Sequence, residues 1–241
     1  MNGPKIIFEI PLLGGIKITE TIVNQWIIMI AIILLCIFFT RDLRVKPVKK
    51  RQVAAEKIVG MLYNLVGETM GKRYESFAPY IGALFTMSIM GSLSSLLGLR
   101  PYTADLSTTL AWAVLTFFMV QINSIRLNGV GGWLKGFAEP VPFILPLNLV
   151  SEIANPISIS FRHFGNIAAG MVITSLVYSG LAGISSIILS FIPNYFISHI
   201  PFLQLGIPAL LSIYFDLFGS FLQAYIICML TMVYVSGVSD N

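Results

Sequence analysis

Long apolar runs alternate with short polar stretches along the chain. Ile22 to Thr40 (I-V-N-Q-W-I-I-M-I-A-I-I-L-L-C-I-F-F-T) is almost uniformly apolar. At about 1.5 Å per residue it is long enough to cross a ~30 Å hydrocarbon core, with Trp26 suited to one headgroup level. Val53 to Gly71 is patterned differently. Val53, Ile58, Met61, Leu62, Leu65 and Val66 recur against Glu56, Lys57, Asn64 and Glu68, which predicts an amphipathic helix. It either lies on a membrane surface or caps the protein. Pro79 to Leu99 and Leu106 to Ile122 predict a second and a third span, joined by a turn through Arg100-Pro101 and Asp105. Gly82, Ser88, Gly91, Ser92, Ser94 and Ser95 give the second span the small residues that close helix packing uses. A loop with Arg126, Lys135 and Gly131-Gly132 follows.

The last two runs are too long for upright spans. Leu147 to Ile184, approached through Pro140, Pro142 and Pro146, would extend about 57 Å as one helix. The run from near Gly206-Ile207-Pro208 to about Val235 would extend about 45 Å. Both are expected to tilt strongly, with Pro156 a candidate kink in the first and residues 193–201 an outer loop between them. The predicted fold is an all-α membrane protein of about five membrane helices plus one amphipathic surface helix, the last two long and strongly tilted. It forms a single membrane domain over 1–241. Residues 1–21 are an outer segment, 22–40 the first span, 41–78 a basic and amphipathic stretch, 79–123 a helical hairpin and 145–236 the two long helices.

Polar positions interrupt these two helices in register. Steps of four and three connect Asn148, Glu152, Asn155, Ser158, Arg162, Asn166, Gly170 and Thr174. Leu147, Val150, Ile157, Phe161, Phe164, Ile167, Val172 and Leu176 occupy the other faces. The last helix carries Ser212, Asp216, Ser220 and Gln223 on a similar line. Such a stripe either lines a water path or forms a polar seam between packed helices. Arg162 favours the water path. It stays protonated in any protein environment, and mid-membrane insertion costs it about 3 kcal/mol even on the mildest scales. It must therefore face protein or water.

Composition narrows the class further. Of 241 residues, 56% are hydrophobic and 11% charged, less than half the charge usual in soluble domains. The formal net charge of +4 does not point to nucleic acid, because nine of the fifteen Lys and Arg lie between Arg41 and Arg73, directly after a span. Eleven basic residues fall on the side assigned as cytoplasmic, and Lys5, Lys17 and Arg100 on the other. This places the N-terminus outside and the C-terminus in the cytoplasm of a cell membrane, the bacterial plasma membrane being the expected one. No basic region with a cleavage site opens the chain, so no signal peptide is expected. Cys36 and Cys228 read as buried small hydrophobes, and the two histidines are too few for a His-rich metal site. No cofactor and no metal are expected.

Three motifs carry a family resemblance. S-F-R-H-F-G-N-I-A-A-G at 160–170 resembles the R-L-F-G-N-x-x-A-G hallmark of the a subunit of F-type ATP synthases. L-Q-A-Y-I-I-C-M-L-T-M-V-Y at 222–234 is similar to that family's Q-A-F-x-F-x-x-L-T-x-x-Y, and P-Y-T-A-D-L-S-T-T-L-A at 101–111 to its P-T-A-D-x-x-x-T-L-A. The resemblance implies a stator against which a ring of c subunits turns, with two half-channels passing protons or sodium ions to and from the ring. The implied partners are the c ring, the b-subunit peripheral stalk, the remainder of the ATP synthase and the lipid bilayer. The chain itself would translocate ions and catalyse nothing.

By match to the motifs, Arg162 is the stator arginine, Asn166 the polar residue one turn on, and Gln223 the glutamine facing the arginine across the helix pair. Many members carry Glu or His after the A-G of the first motif. This chain has Met171 there, and has Asp216 where some members carry His, seven residues before the glutamine. The uptake-side carboxylate is therefore expected on the last helix. Ser212, Asp216 and Ser220 fit an uptake path, and Asn148 and Glu152 a release path, although Asn148 equally suits a helix cap. Asp105 either caps the third span, the favoured reading, or faces the mouth of the uptake path. His163 points about 100° away from Arg162 and reads as a packing residue, and His199 as a solvated loop residue.

Two other classes compete. An intramembrane protease requires Ser-His or paired Asp residues, but the region of the last two helices holds one Asp and two separated His, without G-x-S-x-G or H-E-x-x-H. An autonomous ion channel or secondary transporter is the alternative reading. Transporters of that kind often show inverted repeats with matching breaks, and no such internal symmetry is visible.

Overall fold

A computed structural model describes residues 5–11, 16–41, 43–44, 49–139, 141–189 and 213–237. Among the described residues the regular structure is helical apart from one antiparallel hairpin, β1 (Ile6–Ile10) with β2 (Ile16–Thr19), ahead of the first helix. Six α-helices follow among the described residues: α1 (Glu20–Thr40), α2 (Lys50–Met70), α3 (Ala78–Leu93), α4 (Leu106–Gly136), α5 (Leu145–Leu189) and α6 (Gly219–Gly237). Short 3-10 turns extend α3 at both ends, over Lys72–Phe77 and Ser94–Leu97. Five helical stretches are long and apolar enough to cross a membrane.

The bundle has two ends, and hydrogen bonds identify them. At one end, Thr21 Oγ1 donates to Asp105 Oδ2 (2.8 Å), and Asn24 Nδ2 to Arg100 O (2.9 Å). These bonds bring together the start of α1, the turn after α3 and the start of α4. At the other end, Asn123 Nδ2 donates to the Tyr74 hydroxyl (3.1 Å) and to Val235 O (2.8 Å), joining the entrance to α3, the later part of α4 and the end of α6. Bonds at such separated positions fix how helices are stacked, because each leaves a buried polar group satisfied away from water.

The core runs along α3 and α6 with one side of α2 laid on them. Val66, Ala78, Ile81, Ala113, Ile227, Met232 and Val235 are all buried there. Two glycines let partners approach. A Cβ at Gly82 would lie 2.6 Å from Leu62 of α2, and one at Gly91 would lie 2.5 Å from the Tyr102 ring. Tyr102 is fully buried, and burial pushes its phenol up in pKa, so it stays protonated and donates to Met87 O at 2.5 Å. Most other large apolar side chains are exposed on the outside of the bundle, as expected for helices whose solvent is lipid.

The structure alters several expectations. α4 does not end near Ile122 in a loop. It continues to Gly136 and carries Arg126 and Lys135, with one break at Gly129 (φ 68°, ψ 169°). α5 runs 45 residues, about 68 Å, and remains helical through Pro156 rather than breaking there. Only the second half of the apolar face of α2 is covered, because Leu62, Leu65 and Val66 meet the core whereas Val53, Ile58 and Met61 stay exposed. Cys36 is exposed on α1 rather than buried, while Cys228 is buried with its Sγ 3.7 Å from Ile81 O. Asp105 holds the N-cap position of α4, yet its carboxylate accepts from Thr21 and makes no capping bond to the helix.

Candidate ion path

α4 and α5 are antiparallel neighbours. Thr109 and Ser160 pair through their hydroxyls (3.2 Å), Gln121 Nε2 donates to Glu152 Oε1, and Asn148 Nδ2 donates to Phe137 O and Glu139 O (3.0 Å each). α6 meets α5 where Asn166 Nδ2 donates to Gln223 Oε1 (2.8 Å). The polar stripe of α5 therefore has a definite neighbour at almost every turn: α4 along its first half and α6 along its second.

Two cavities flank that stripe. The larger, about 560 Å³, lies between α4, α5 and the end of α6, with Gln121, Trp133, Asn148, Glu152 and Asn155 among its lining residues. The smaller, about 360 Å³, lies between α5, α6 and the turn after α3, with Ser95, Asn166, Asp216, Ser220 and Gln223 in its wall. Pro101 lines the smaller cavity and Gly237 the larger, so they sit toward opposite ends of the bundle. Among the described residues, each has one carboxylate in its wall, Glu152 in the larger and Asp216 in the smaller.

Arg162 belongs to neither wall. Ile159 is the last α5 residue on the larger cavity and Asn166 the first on the smaller, about 10 Å further along the axis. Arg162 lies between them with an exposed side chain, and it makes no ion pair or hydrogen bond with any described residue. In particular it does not pair with Asp216. A guanidinium left uncovered on an apolar bundle needs water or an anionic partner from outside the chain.

The predicted site residues thus divide clearly. Asn148, Glu152, Asn166, Asp216, Ser220 and Gln223 all line one cavity or the other. Ser212 and His199 lie outside the described residues, as do the loop at 193–201 and the start of the last helix. Asn148 caps no helix start. It ties down the end of α4 while lining the larger cavity. His163 is buried against Trp112, with ring centroids 5.7 Å apart, and neither ring nitrogen reaches a polar partner among the described residues. That agrees with a packing role.

Two features carry no clear sequence signal. Gln121 and Trp133 form a hydrogen-bonded pair on the larger cavity, with Trp133 Nε1 donating to Gln121 Oε1 at 2.7 Å. The available signals were a lone Gln at the end of an apolar run and a Trp amid glycines. Asp216 stands on a π-helical turn, Ile213–Phe218, that leads into α6. Wider turns of this kind are frequent at functional sites, but nothing in the local sequence marks this one.

A helical bundle in which five described stretches are long and apolar enough to cross a membrane, with two cavities along a polar stripe and an uncovered arginine between them, defines a multi-pass membrane protein. Residues 22–236 match the family model of the ATP synthase A chain, and the chain belongs to that family. It is 33% identical to the sodium ion specific ATP synthase subunit a of Propionigenium modestum, over 98% of this chain and 85% of that one. It is 35% identical to ATP synthase subunit a of Moorella thermoacetica, over 95% and 94% of the two chains. It is 34% identical to ATP synthase subunit a 2 of a Bradyrhizobium species, over 93% and 91%. The family resemblance drawn from three motifs is therefore borne out. As a member, the chain is a subunit of a membrane-embedded ATP synthase.

Proposed function

We propose that this chain is the non-catalytic stator of a rotary Fo motor and that its two cavities are half-channels to a turning c ring. The carrying observation is the exposed Arg162, without an ion pair or hydrogen bond among the described residues, between cavities at opposite ends of the bundle. The smaller cavity, with Asp216, Ser220, Asn166 and Gln223, takes up protons or sodium ions from the outer side. The larger cavity, with Glu152 and Asn148, releases them to the cytoplasm. This orientation follows the bias of Lys and Arg, which places the N-terminus outside and the C-terminus inside a bacterial plasma membrane. The apolar outer surface also receives the b-subunit stalk, and residues 1–241 act as one membrane domain.

Elementary electrostatics explains the arginine. A fixed positive charge favours the ionised form of an approaching ring carboxylate, so the ring gives up its ion as it reaches Arg162. The same charge repels a cation trying to pass directly from one cavity to the other. Lysine loses its proton readily when buried, whereas arginine does not.

The test is Arg162→Ala in the assembled complex. The expected result is loss of gradient-driven ATP synthesis with the complex still assembled. Retained synthesis overturns the proposal. Ion conduction by the purified chain alone in liposomes would instead support the autonomous channel reading.

A further inference from the structure

Gly129 sits in the middle of α4 at φ 68° and ψ 169°, a conformation open essentially to glycine alone. In an unbroken helix, residues 121 and 133 would be about 18 Å apart along the axis. That distance is too great for their side chains to meet. The break turns the segment after Gly129 back, and Trp133 Nε1 reaches Gln121 Oε1 at 2.7 Å. Gln121 uses its other end to donate to Glu152 on α5. The returning segment is pinned at its far end as well, because Asn148 holds the carbonyls of Phe137 and Glu139.

The amide of Gln121 has one acceptor oxygen and two N–H donors. With the oxygen occupied by the indole N–H, the NH₂ end must face Glu152. The indole therefore fixes which way the amide points, and the amide fixes the carboxylate. Without Trp133 the amide oxygen loses its donor, and only the bond to Glu152 is left to hold the amide, so the pair is less firmly fixed.

We propose that Gln121 and Trp133 are positioning residues that hold the Glu152 carboxylate in place on the wall of the larger cavity, and that the helix break at Gly129 exists to bring them together. The inference rests on the reading of that cavity as the ion release path. Neither residue handles the ion itself. They act through Glu152, and the rate of release depends on the indole N–H.

The experiment uses the whole ATP synthase reconstituted in liposomes, with variants Trp133→Phe, Glu152→Gln and the two combined. Trp133→Phe keeps an aromatic ring edge-to-face with Phe137 (centroids 5.2 Å apart) and removes the N–H donor. Assembly is checked by the recovery of intact complex. The expected result is that Trp133→Phe slows gradient-driven synthesis about fivefold, the weight of one lost hydrogen bond. In the Glu152→Gln background the same change should add nothing, because residues acting through one group are non-additive. Equal losses in both backgrounds, or no loss from Trp133→Phe alone, overturn the positioning role while leaving the release path intact. If Glu152→Gln is itself as fast as the parent enzyme, the assignment of Glu152 to the release path fails, and the positioning role fails with it.

Discussion

The two cavities differ in how their polar groups are held. In the larger, Glu152 is bound by Gln121, Gln121 by Trp133, and the end of α4 by Asn148. In the smaller, one bond joins Asn166 to Gln223, and Asp216 stands on a π-helical turn with no hydrogen-bonded or ionic partner among the described residues. A carboxylate fixed by a chain of donors keeps one orientation. A carboxylate with free lone pairs can accept an ion. Under the proposed function, the difference teaches that uptake and release need not use matching sites, provided a fixed charge separates them.

Changes at the two carboxylates and their supports break or sharpen this contrast. The largest effect is expected from Asp216→Asn, which removes the one carboxylate of the smaller cavity. Gradient-driven rotation should slow by about a hundredfold, the lower range for a positioned proton-transfer group, while the complex still assembles. Normal rates in the purified variant would exclude Asp216 from the path. Gly91→Ala comes next. Its new methyl would meet the buried Tyr102 ring at 2.5 Å, and that ring is anchored through its hydroxyl to Met87. The cost should be about 1–3 kcal/mol, seen as a lower melting temperature and poorer recovery of complex.

Gly129→Ala should cost a similar 1–3 kcal/mol for a different reason. Open space surrounds the new methyl, so the penalty is backbone strain alone. It should show as local loosening after residue 129 in hydrogen exchange, with the smaller cavity unaffected. Gly60→Ala is the smallest change and the control. Gly60 lies mid-helix in α2 with nothing near its Cβ, so alanine should stabilise by up to about 1 kcal/mol without altering turnover.

Much of this arrangement was legible in the sequence, because membranes impose strong patterns. Apolar length predicted α1, α3 and the over-long α5. The i, i+3, i+4 rule puts Asn148, Glu152, Asn155, Ser158, Arg162, Asn166, Gly170 and Thr174 on one line, and five of these eight line a cavity, the exceptions being Ser158, Arg162 and Thr174. The misses share a cause. Hydropathy reports where a helix is greasy, not whether a polar stretch beyond it stays helical, so Gly-rich residues 123–136 read as a loop although α4 extends through them. Gln121 and Trp133 are twelve residues apart, and only the backbone at Gly129 makes them neighbours. Periodicity carries no information about such a bend. Asp105 occupied the expected N-cap position, but its actual partner is a threonine 84 residues away.

The central claim is that water reaches the stripe of α5 from opposite sides, with Arg162 as the divide. Cysteine substitution on a background lacking Cys36 and Cys228 tests it directly. Asn155→Cys lies on the larger cavity and Gly170→Cys on the smaller, where open space surrounds the new side chain. With a membrane-impermeant thiol reagent, the position-155 variant should be modified only from the cytoplasmic side and the position-170 variant only from the outer side. Modification of both from one side would contradict the account.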